Sequence, residues 1–148
     1  MRGTIEQLRD ISHRCRNHEQ LSPAQLSWLG QVLNDFLSRR CRSVDEAFGL
    51  RFARGGVPWW LEEAQRQRDA ALRELASRHF AGLSVSAQAR LIRSLANRYA
   101  GTAWRFDRER QIPPDGYAGT AHEWLWLAFA SGAPMPIGER QLRHVLGR

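Results

Sequence analysis

Arginine is the residue type of this chain with the clearest chemical implications. All 22 basic residues are Arg, and they stand against 15 acidic residues, which gives a formal net charge of +7 and a pI near 11.0. A guanidinium group forks onto phosphate or carboxylate and stacks on flat rings. The composition therefore suits a nucleic acid or an acidic protein partner, or else an ordinary solvated surface on which Arg takes the place of Lys.

A first candidate site is a group of arginines on both sides of a short predicted helix, followed by a glycine pair and two tryptophans. In a nucleic-acid interpretation the arginines hold phosphates, the backbone at Gly55 and Gly56 lets a strand approach closely, and Trp59 stacks on a base. The alternative is a surface loop that Trp59 or Trp60 anchors to the core. The arginines of this candidate are Arg39, Arg40, Arg42, Arg51 and Arg54.

A second candidate lies in residues 119–148, where two short helices have the outline of a helix-turn-helix. The second of them leaves four polar side chains largely outside the core: Arg140, Gln141, Arg143 and His144. Arg can fork onto guanine and Gln onto adenine, so this spacing fits a helix in the major groove. The connection 132–137 is longer than the usual turn, and an amphipathic terminal helix without DNA contacts is the alternative.

Other chemistry has little support in the sequence. His13, Cys15, His18 and Cys41 are ligand types for zinc, but their spacing matches no zinc motif. His122 and Glu123 do not begin the zinc-protease motif, because Trp126 stands where the second histidine is needed. The sequence contains no phosphate-binding loop, nucleophile elbow or dinucleotide fingerprint. We therefore expect no catalytic residues, no metal and no cofactor.

The elements that would position these side chains are predicted to be helices, because apolar residues recur at helical spacing and strand-like alternation is lacking. Capping signals open four of them, at Thr4 with Gln7, Ser22 with Gln25, Ser43 with Glu46, and Thr120 with Glu123. The sequence predicts one all-α domain over 1–148 with about seven helices. Their predicted bounds are 5–17, 22–40, 43–50, 59–80, 84–104, 120–131 and 138–146.

The predicted core combines apolar positions from four of these helices. It consists of Leu26, Leu29, Leu33, Phe36, Leu72, Leu75, Leu91, Leu95, Trp124 and Leu127. No apolar stretch reaches the roughly 20 residues that a membrane span needs, and the first ten residues do not resemble a signal peptide. We therefore expect a cytoplasmic protein with no membrane partner.

Several segments of the chain from residue 43 onward resemble a family of uncharacterised bacterial proteins associated with mobile elements. These segments are SVDEAFGL, the GG-x-PWW turn, QRDAALREL, RYAGTAW and the terminal ERQLRHVL. The resemblance implies an all-helical protein from a context in which small basic proteins often regulate or process DNA. It implies no activity, cofactor or site residue.

The function expected from the sequence is DNA binding without catalysis, with a regulatory role in a mobile element. Phosphate contacts would come from the first candidate and groove contacts from the second. The alternative is a protein-interaction module, an inhibitor or adaptor that sets tryptophans and arginines against an acidic partner. RNA binding is a third possibility, which the sequence does not separate from DNA binding.

Overall fold

A computed structural model describes residues 2–147 as an all-helical chain, which confirms the predicted fold class. Eight α-helices and one short 3-10 helix occur in that range, and no strand does. The α-helices are α1 (Arg2–Arg16), α2 (Pro23–Leu37), α3 (Val44–Ala47), α4 (Trp59–His79), α5 (Val85–Gly101), α6 (Trp104–Asp107), α7 (Ala121–Ala130) and α8 (Glu139–Leu146).

The helices divide into two units. The N-terminal unit ends at Trp59, and the C-terminal unit begins at Trp60. The prediction of a single domain over 1–148 stays a prediction. Met1 and Arg148, the ends of that predicted domain, lie outside the described residues.

The N-terminal unit has a small buried interior. Its buried hydrophobic side chains are Ile5, Ile11, Val32 and Leu50. A polar contact joins α1 to α2, because the buried Gln25 side chain donates a hydrogen bond to the carboxylate of Asp10. Bonds from Arg14 and Gln25 hold the pKa of the Asp10 carboxyl below its usual range.

Helix α2 begins and ends with two well-formed local motifs. The Ser22 hydroxyl accepts from the Gln25 backbone N–H, and the Gln25 side chain accepts from the Ser22 N–H, which confirms the predicted capping box. The helix ends at Leu37 and not at Arg40 as predicted, because Arg39 adopts a left-handed conformation with φ 56°. The N–H of Arg40 then bonds to the Asp35 carbonyl in a Schellman motif.

The predicted core face of α2 is wrong. Leu26, Leu33 and Phe36 are 57%, 50% and 37% exposed, whereas Val32 and Gln25 are buried. The apolar spacing predicts a core face there, but α1 contacts α2 through Asp10 and Gln25, and Phe48 at the end of α3 packs against Trp28. The covered side of α2 is therefore the one that carries Gln25, Trp28 and Val32. Leu29 is half-buried at the edge of the exposed face.

The C-terminal unit has a continuous core built from α4, α5, α7 and α8. Predicted members Leu72 and Leu75 are completely buried, and Leu95 and Trp124 pack against the core from its margin. Leu91 and Leu127 are 41% and 37% exposed and were wrongly placed in the core. The buried members also include Ala71, Ala76, Ala89, Ile92, Ala96, Tyr99, Leu125, Trp126, Ala128, Leu142 and Val145.

Three predicted helix boundaries need correction. Thr4 lies inside α1, which begins at Arg2, so it does not cap that helix. Thr120 precedes α7 but makes no capping bond, because its hydroxyl donates to the Tyr117 carbonyl and the Glu123 side chain accepts from Gly119 instead. The predicted helix from Ser84 stops at Gly101, and Trp104 begins the separate helix α6.

A buried carboxylate organises the segment between α5 and α7. Both the Tyr99 and Tyr117 hydroxyls donate to Oδ2 of Asp107, at 2.9 and 2.7 Å, and Nε1 of Trp126 donates to the Asp107 carbonyl at 3.3 Å. Asp107 is only 8% exposed. Burial and the adjacent carboxylate raise the pKa of both tyrosines, because an ionised hydroxyl would be desolvated beside a negative charge. This cluster fixes α6 and the following loop onto the core.

Candidate nucleic-acid interface

Helix α5 carries an exposed cationic surface without any carboxylate. Its 17 residues include three arginines and no Asp or Glu. Its inner side is fixed by Ala89, Ile92, Ala96 and Tyr99, which are buried. Arg90 and Arg93 therefore lie on the opposite side, one helical turn apart, and Arg98 is exposed near the C-terminal end.

Helix α8 packs mainly against α5 and adds more exposed cations. Leu142 and Val145 anchor it in the core, and Nε of Arg73 on α4 donates to the Val145 carbonyl at 2.8 Å. Arg93 of α5 lies 3.8 Å from the carboxylate of Glu139 at the start of α8. The helix that supports α8 is thus α5, whereas a helix-turn-helix would use the preceding helix, α7.

The four predicted side chains of α8 differ in their availability. Arg140, Arg143 and His144 are exposed, and neither arginine forms an ion pair among the described residues. Gln141 is also exposed, but its Oε1 accepts from the Ile137 N–H at 3.0 Å. The side-chain oxygen of Gln141 is therefore already bonded at the start of α8. A two-bond contact of this side chain with adenine would require its bond with the Ile137 N–H to break.

A groove of about 770 Å³ lies beside α8. Its apolar part is the segment 134–137, and its polar part includes Arg140, Gln141 and His144. On the α4 side, Arg68 donates to the Pro134 carbonyl and pairs with Asp69 at 2.6 Å, so this cation is neutralised. The groove is lined by Arg140 of α8 and also by the carboxylate of Asp69, which would repel a phosphate.

The arginines predicted in the N-terminal unit are mixed with carboxylates. Arg40 lies 3.3 Å from Asp35, and Arg51 lies 3.6 Å from Glu46. Both of these arginines are well exposed, so the two ion pairs are weak. The other three members, Arg39, Arg42 and Arg54, are exposed and have no ion pair among the described residues. Among the described residues, ion pairs thus involve two of these five arginines, against one, Arg93, of the five on α5 and α8.

The two adjacent tryptophans have different environments. Trp59 is half-buried, while Trp60 is 54% exposed. The sequence assigned the base-stacking role to Trp59, and of the two rings Trp60 has the larger accessible surface. Gly55 has φ 82° and turns the loop before them, which fits the loop character predicted for this segment.

Residues 2–147 contain no group of three or more His, Cys, Asp or Glu side chains that could hold a metal ion. Every helix in this range is too short or too polar to span a bilayer.

Comparisons with protein-family models, with curated proteins and with solved structures found no match to this chain. The resemblance to a mobile-element family remains an expectation from sequence.

Sequence reasoning missed the arginines of α5. Each of them is an ordinary helix-surface residue by itself, and no motif marks them. The available signal was negative: residues 85–101 lack any carboxylate, although the chain has 15 of them. Such an interval in a helix with exposed arginines indicates a positive surface, which here is offset in part by Glu139 of α8, 3.8 Å from Arg93.

Proposed function

We propose that this protein binds duplex DNA, without catalysis, through the exposed arginines of α5 and α8. The observation that supports this function is the carboxylate-free helix α5, packed against a second helix with exposed cations. Phosphates are the commonest polar contacts of DNA-binding proteins, and guanidinium groups bind them bidentately. The interface consists of Arg90, Arg93, Arg98, Arg140, Arg143 and His144.

The fold gives these cations a rigid support. Tyr99 lies on the inner side of α5 and is held by Asp107, while Arg73 and the core residue Leu142 hold α8. Arginines on supported helices lose less backbone freedom on binding than arginines on a loop. The α5 and α8 surface is therefore a better DNA interface than the arginines near Gly55 and Gly56, which we assign a secondary role.

Salt dependence tests this function directly. If all five arginines contact phosphate, the logarithm of the association constant should fall with the logarithm of salt concentration with a slope of about −4.5. We expect Arg90→Ala with Arg93→Ala to weaken duplex binding and to reduce that slope by about 2. Fluorescence anisotropy of a labelled duplex at several salt concentrations measures both quantities.

The matched control removes the same charge from another surface. Arg66 and Arg78 on α4 lie 3.0 and 2.6 Å from carboxylates, closer than the 3.8 Å between Arg93 and Glu139. Arg66→Ala with Arg78→Ala should therefore leave the slope nearly unchanged. Equal effects of the two double variants would show that net charge alone drives binding. Absence of duplex binding at low salt would reject the proposed function.

A protein-interaction role is the second candidate, favoured by the exposed ring of Trp60, which follows the exposed Arg54 by six residues in the chain. Tryptophan and arginine are the residues that most often dominate the binding energy of protein interfaces. Under this function Trp60→Ala would abolish binding to an acidic partner protein. The same variant would leave the salt slope for DNA unchanged, which distinguishes the two functions.

A further inference from the structure

The groove of about 770 Å³ beside α8 has one wall that is rich in hydrogen-bond donors. Arg140, Gln141 and His144 line this wall. A guanidinium group has no acceptor, so Arg140 can only donate. The Oε1 atom of Gln141 is already bonded to the Ile137 N–H, which leaves its Nε2 group, also a donor, for a ligand. The two side chains therefore suit a ligand that carries acceptor oxygens.

The charges around the groove leave this wall positive. The titratable side chains of the lining are Arg68, Asp69, Arg140 and His144. On the α4 side, Arg68 and Asp69 are 13% and 21% exposed and pair at 2.6 Å, so their charges largely offset each other. On the α8 side, Arg140 has no ion pair among the described residues. Glu139, the preceding residue, lies 3.8 Å from Arg93 and does not line the groove. A ligand in the groove therefore meets an arginine whose charge is not compensated.

The segment 134–137 gives the groove an apolar floor. Met135 is half-buried and packs against the core of the C-terminal unit, while Ile137 is 84% exposed. Pro134 and Pro136 add two apolar rings to the same lining. A ligand with a hydrocarbon body would remove this surface from water, which favours binding.

The backbone of this floor offers few groups to a peptide. Extended peptides are held mainly by main-chain hydrogen bonds, but Pro134 and Pro136 have no N–H, and the Ile137 N–H is bonded to Gln141. The Pro134 carbonyl accepts from Arg68 and is also engaged. The volume of the groove lies within the range of sites for small molecules. A small molecule therefore fits this groove better than a peptide does.

We propose that the groove beside α8 binds a small organic acid. The carboxylate of this acid accepts hydrogen bonds from Arg140 and Gln141, and its apolar body lies on Met135 and Ile137. A guanidinium group matches a carboxylate well, because two parallel N–H donors meet its two oxygens. This site goes beyond the proposed function, since DNA binding requires no small molecule.

An NMR titration of the isotopically labelled full chain tests the site, with phenylbutyrate as the probe at up to about 5 mM. We expect phenylbutyrate to shift the backbone amide signals of Met135 and Ile137 and the side-chain amide signal of Gln141. The dissociation constant should lie below about 1 mM. The neutral control is phenylbutyramide, which has nearly the same shape. It should bind about 10-fold more weakly, because it has no charge to pair with Arg140.

Variants of α8 test the position of the carboxylate. Arg140→Gln removes the cation and should weaken phenylbutyrate binding about 10-fold. Gln141→Glu keeps an oxygen for the Ile137 N–H but replaces the donor with a negative charge, so it should weaken binding at least as much. The matched control is Arg143→Gln, which removes the same charge from the same helix outside the groove lining. It should change the dissociation constant less than about 2-fold, because solvent and salt screen its charge.

A substitution in the floor tests the position of the apolar body. Ile137→Ser should weaken phenylbutyrate binding about 3-fold to 10-fold, because less apolar surface is then buried. Leu83→Ser is the matched control, since it changes another exposed apolar residue of the C-terminal unit that does not line the groove. Circular dichroism verifies that each variant is folded.

The acid and DNA should compete, because Arg140 belongs to the groove and to the proposed DNA interface. Saturating phenylbutyrate should weaken duplex binding by up to about 8-fold near about 0.1 M salt, which is the share of one phosphate contact. This competition rests on the proposed function, whereas the titration without DNA does not. Arg143→Gln should lose DNA affinity and keep phenylbutyrate binding, so the two activities can fail separately. Unchanged duplex affinity in the presence of bound phenylbutyrate would overturn the shared use of Arg140.

Three results would overturn the carboxylate site itself. The signals of Met135, Ile137 and Gln141 could stay unchanged over the whole titration. Phenylbutyramide could bind as tightly as phenylbutyrate, which would show that the groove does not select an anion. Finally, Arg143→Gln could weaken phenylbutyrate binding as strongly as Arg140→Gln, which would show a general attraction of anions to the basic surface.

Discussion

The two units end their helices and use their leucines in different ways. In the N-terminal unit, α1 and α2 end with His18 and Arg39 in the left-handed conformation, whereas α7 in the C-terminal unit ends with Gly132. The N-terminal unit also exposes Leu26, Leu33 and Leu37 on one side of α2, while Leu72, Leu75 and Leu125 of the C-terminal unit are completely buried. Leucine side chains therefore contribute to the stability of the C-terminal unit, whereas those three leucines of the N-terminal unit contribute little to its own interior.

Leucine truncation should give the largest difference between the units. Leu75→Ala removes a fully buried side chain and should lower the free energy of unfolding by about 3 kcal/mol. Leu33→Ala should change it by less than about 0.5 kcal/mol, because this side chain is half exposed. Urea denaturation measures both values. Similar costs would contradict the division into a buried and an exposed leucine set.

Removal of the buried carboxylate should have the next largest effect. Asp107→Ala leaves the Tyr99 and Tyr117 hydroxyls without their acceptor, which should cost about 2 to 3 kcal/mol of unfolding free energy. Asp115→Ala, at an exposed acid in the neighbouring 3-10 helix, is the matched control and should cost little. Equal unfolding free energies of the two variants in urea denaturation would contradict the structural role of Asp107.

Helix existence was predictable from sequence because its determinants are local. The capping box at Ser22 and the single capping bonds at Ser43 and Ser84 join groups a few residues apart, and each is present. The box predicted at Ser43 is only half formed, because the Glu46 side chain accepts from the Arg42 N–H and not from that of Ser43. The buried face of α2 was not predictable, because apolar spacing is the same whether a helix packs inward or stays uncovered. The exposed positions of Leu91 and Leu127 show the same limit in the C-terminal unit.

The candidate site was predictable in part for a similar reason. The apolar positions Leu142 and Val145 define the inner face of α8, so the exposure of Arg140 and Arg143 followed from spacing alone. The engagement of Gln141 by Ile137 depends on the path of the preceding loop. The role of Asp107 depends on tyrosines that come together only in the folded chain.

Alkaline pH should destabilise the C-terminal unit through its buried tyrosines. The pKa of Tyr99 and Tyr117 is raised in the folded state, so their stabilising contribution is complete below the unfolded pKa of about 10 and falls as pH rises above it. Each group should cost up to about 1.4 kcal/mol per pH unit in that range. Urea denaturation at pH 9, 10 and 11 measures this loss.

Phenylalanine variants assign that loss to its source. Tyr99→Phe with Tyr117→Phe removes both titrating hydroxyls, so the decline in unfolding free energy above pH 10 should become shallower than in the wild type. The variant also starts from a lower stability at neutral pH, since it leaves the Asp107 carboxylate without its donors. An unchanged slope would assign the alkaline loss to other groups.

Glycine substitution at the helix ends should give the smallest effect. Arg39→Gly and His18→Gly each relieve a left-handed non-glycine residue and should stabilise the chain by about 1 kcal/mol in urea denaturation. Loss of stability in either variant would show that the arginine or histidine side chain holds the structure together locally.

The contacts of Asp107 also bear on how the chain reaches its native state. The side chains that donate to Asp107 lie 8, 10 and 19 residues away in sequence. Closing such short loops costs little chain entropy, so the cluster can form early and without help from distant segments. Helix α8 is instead bonded to α4 across 72 residues, at Arg73 and Val145, so its docking closes a longer loop at a higher cost in chain entropy.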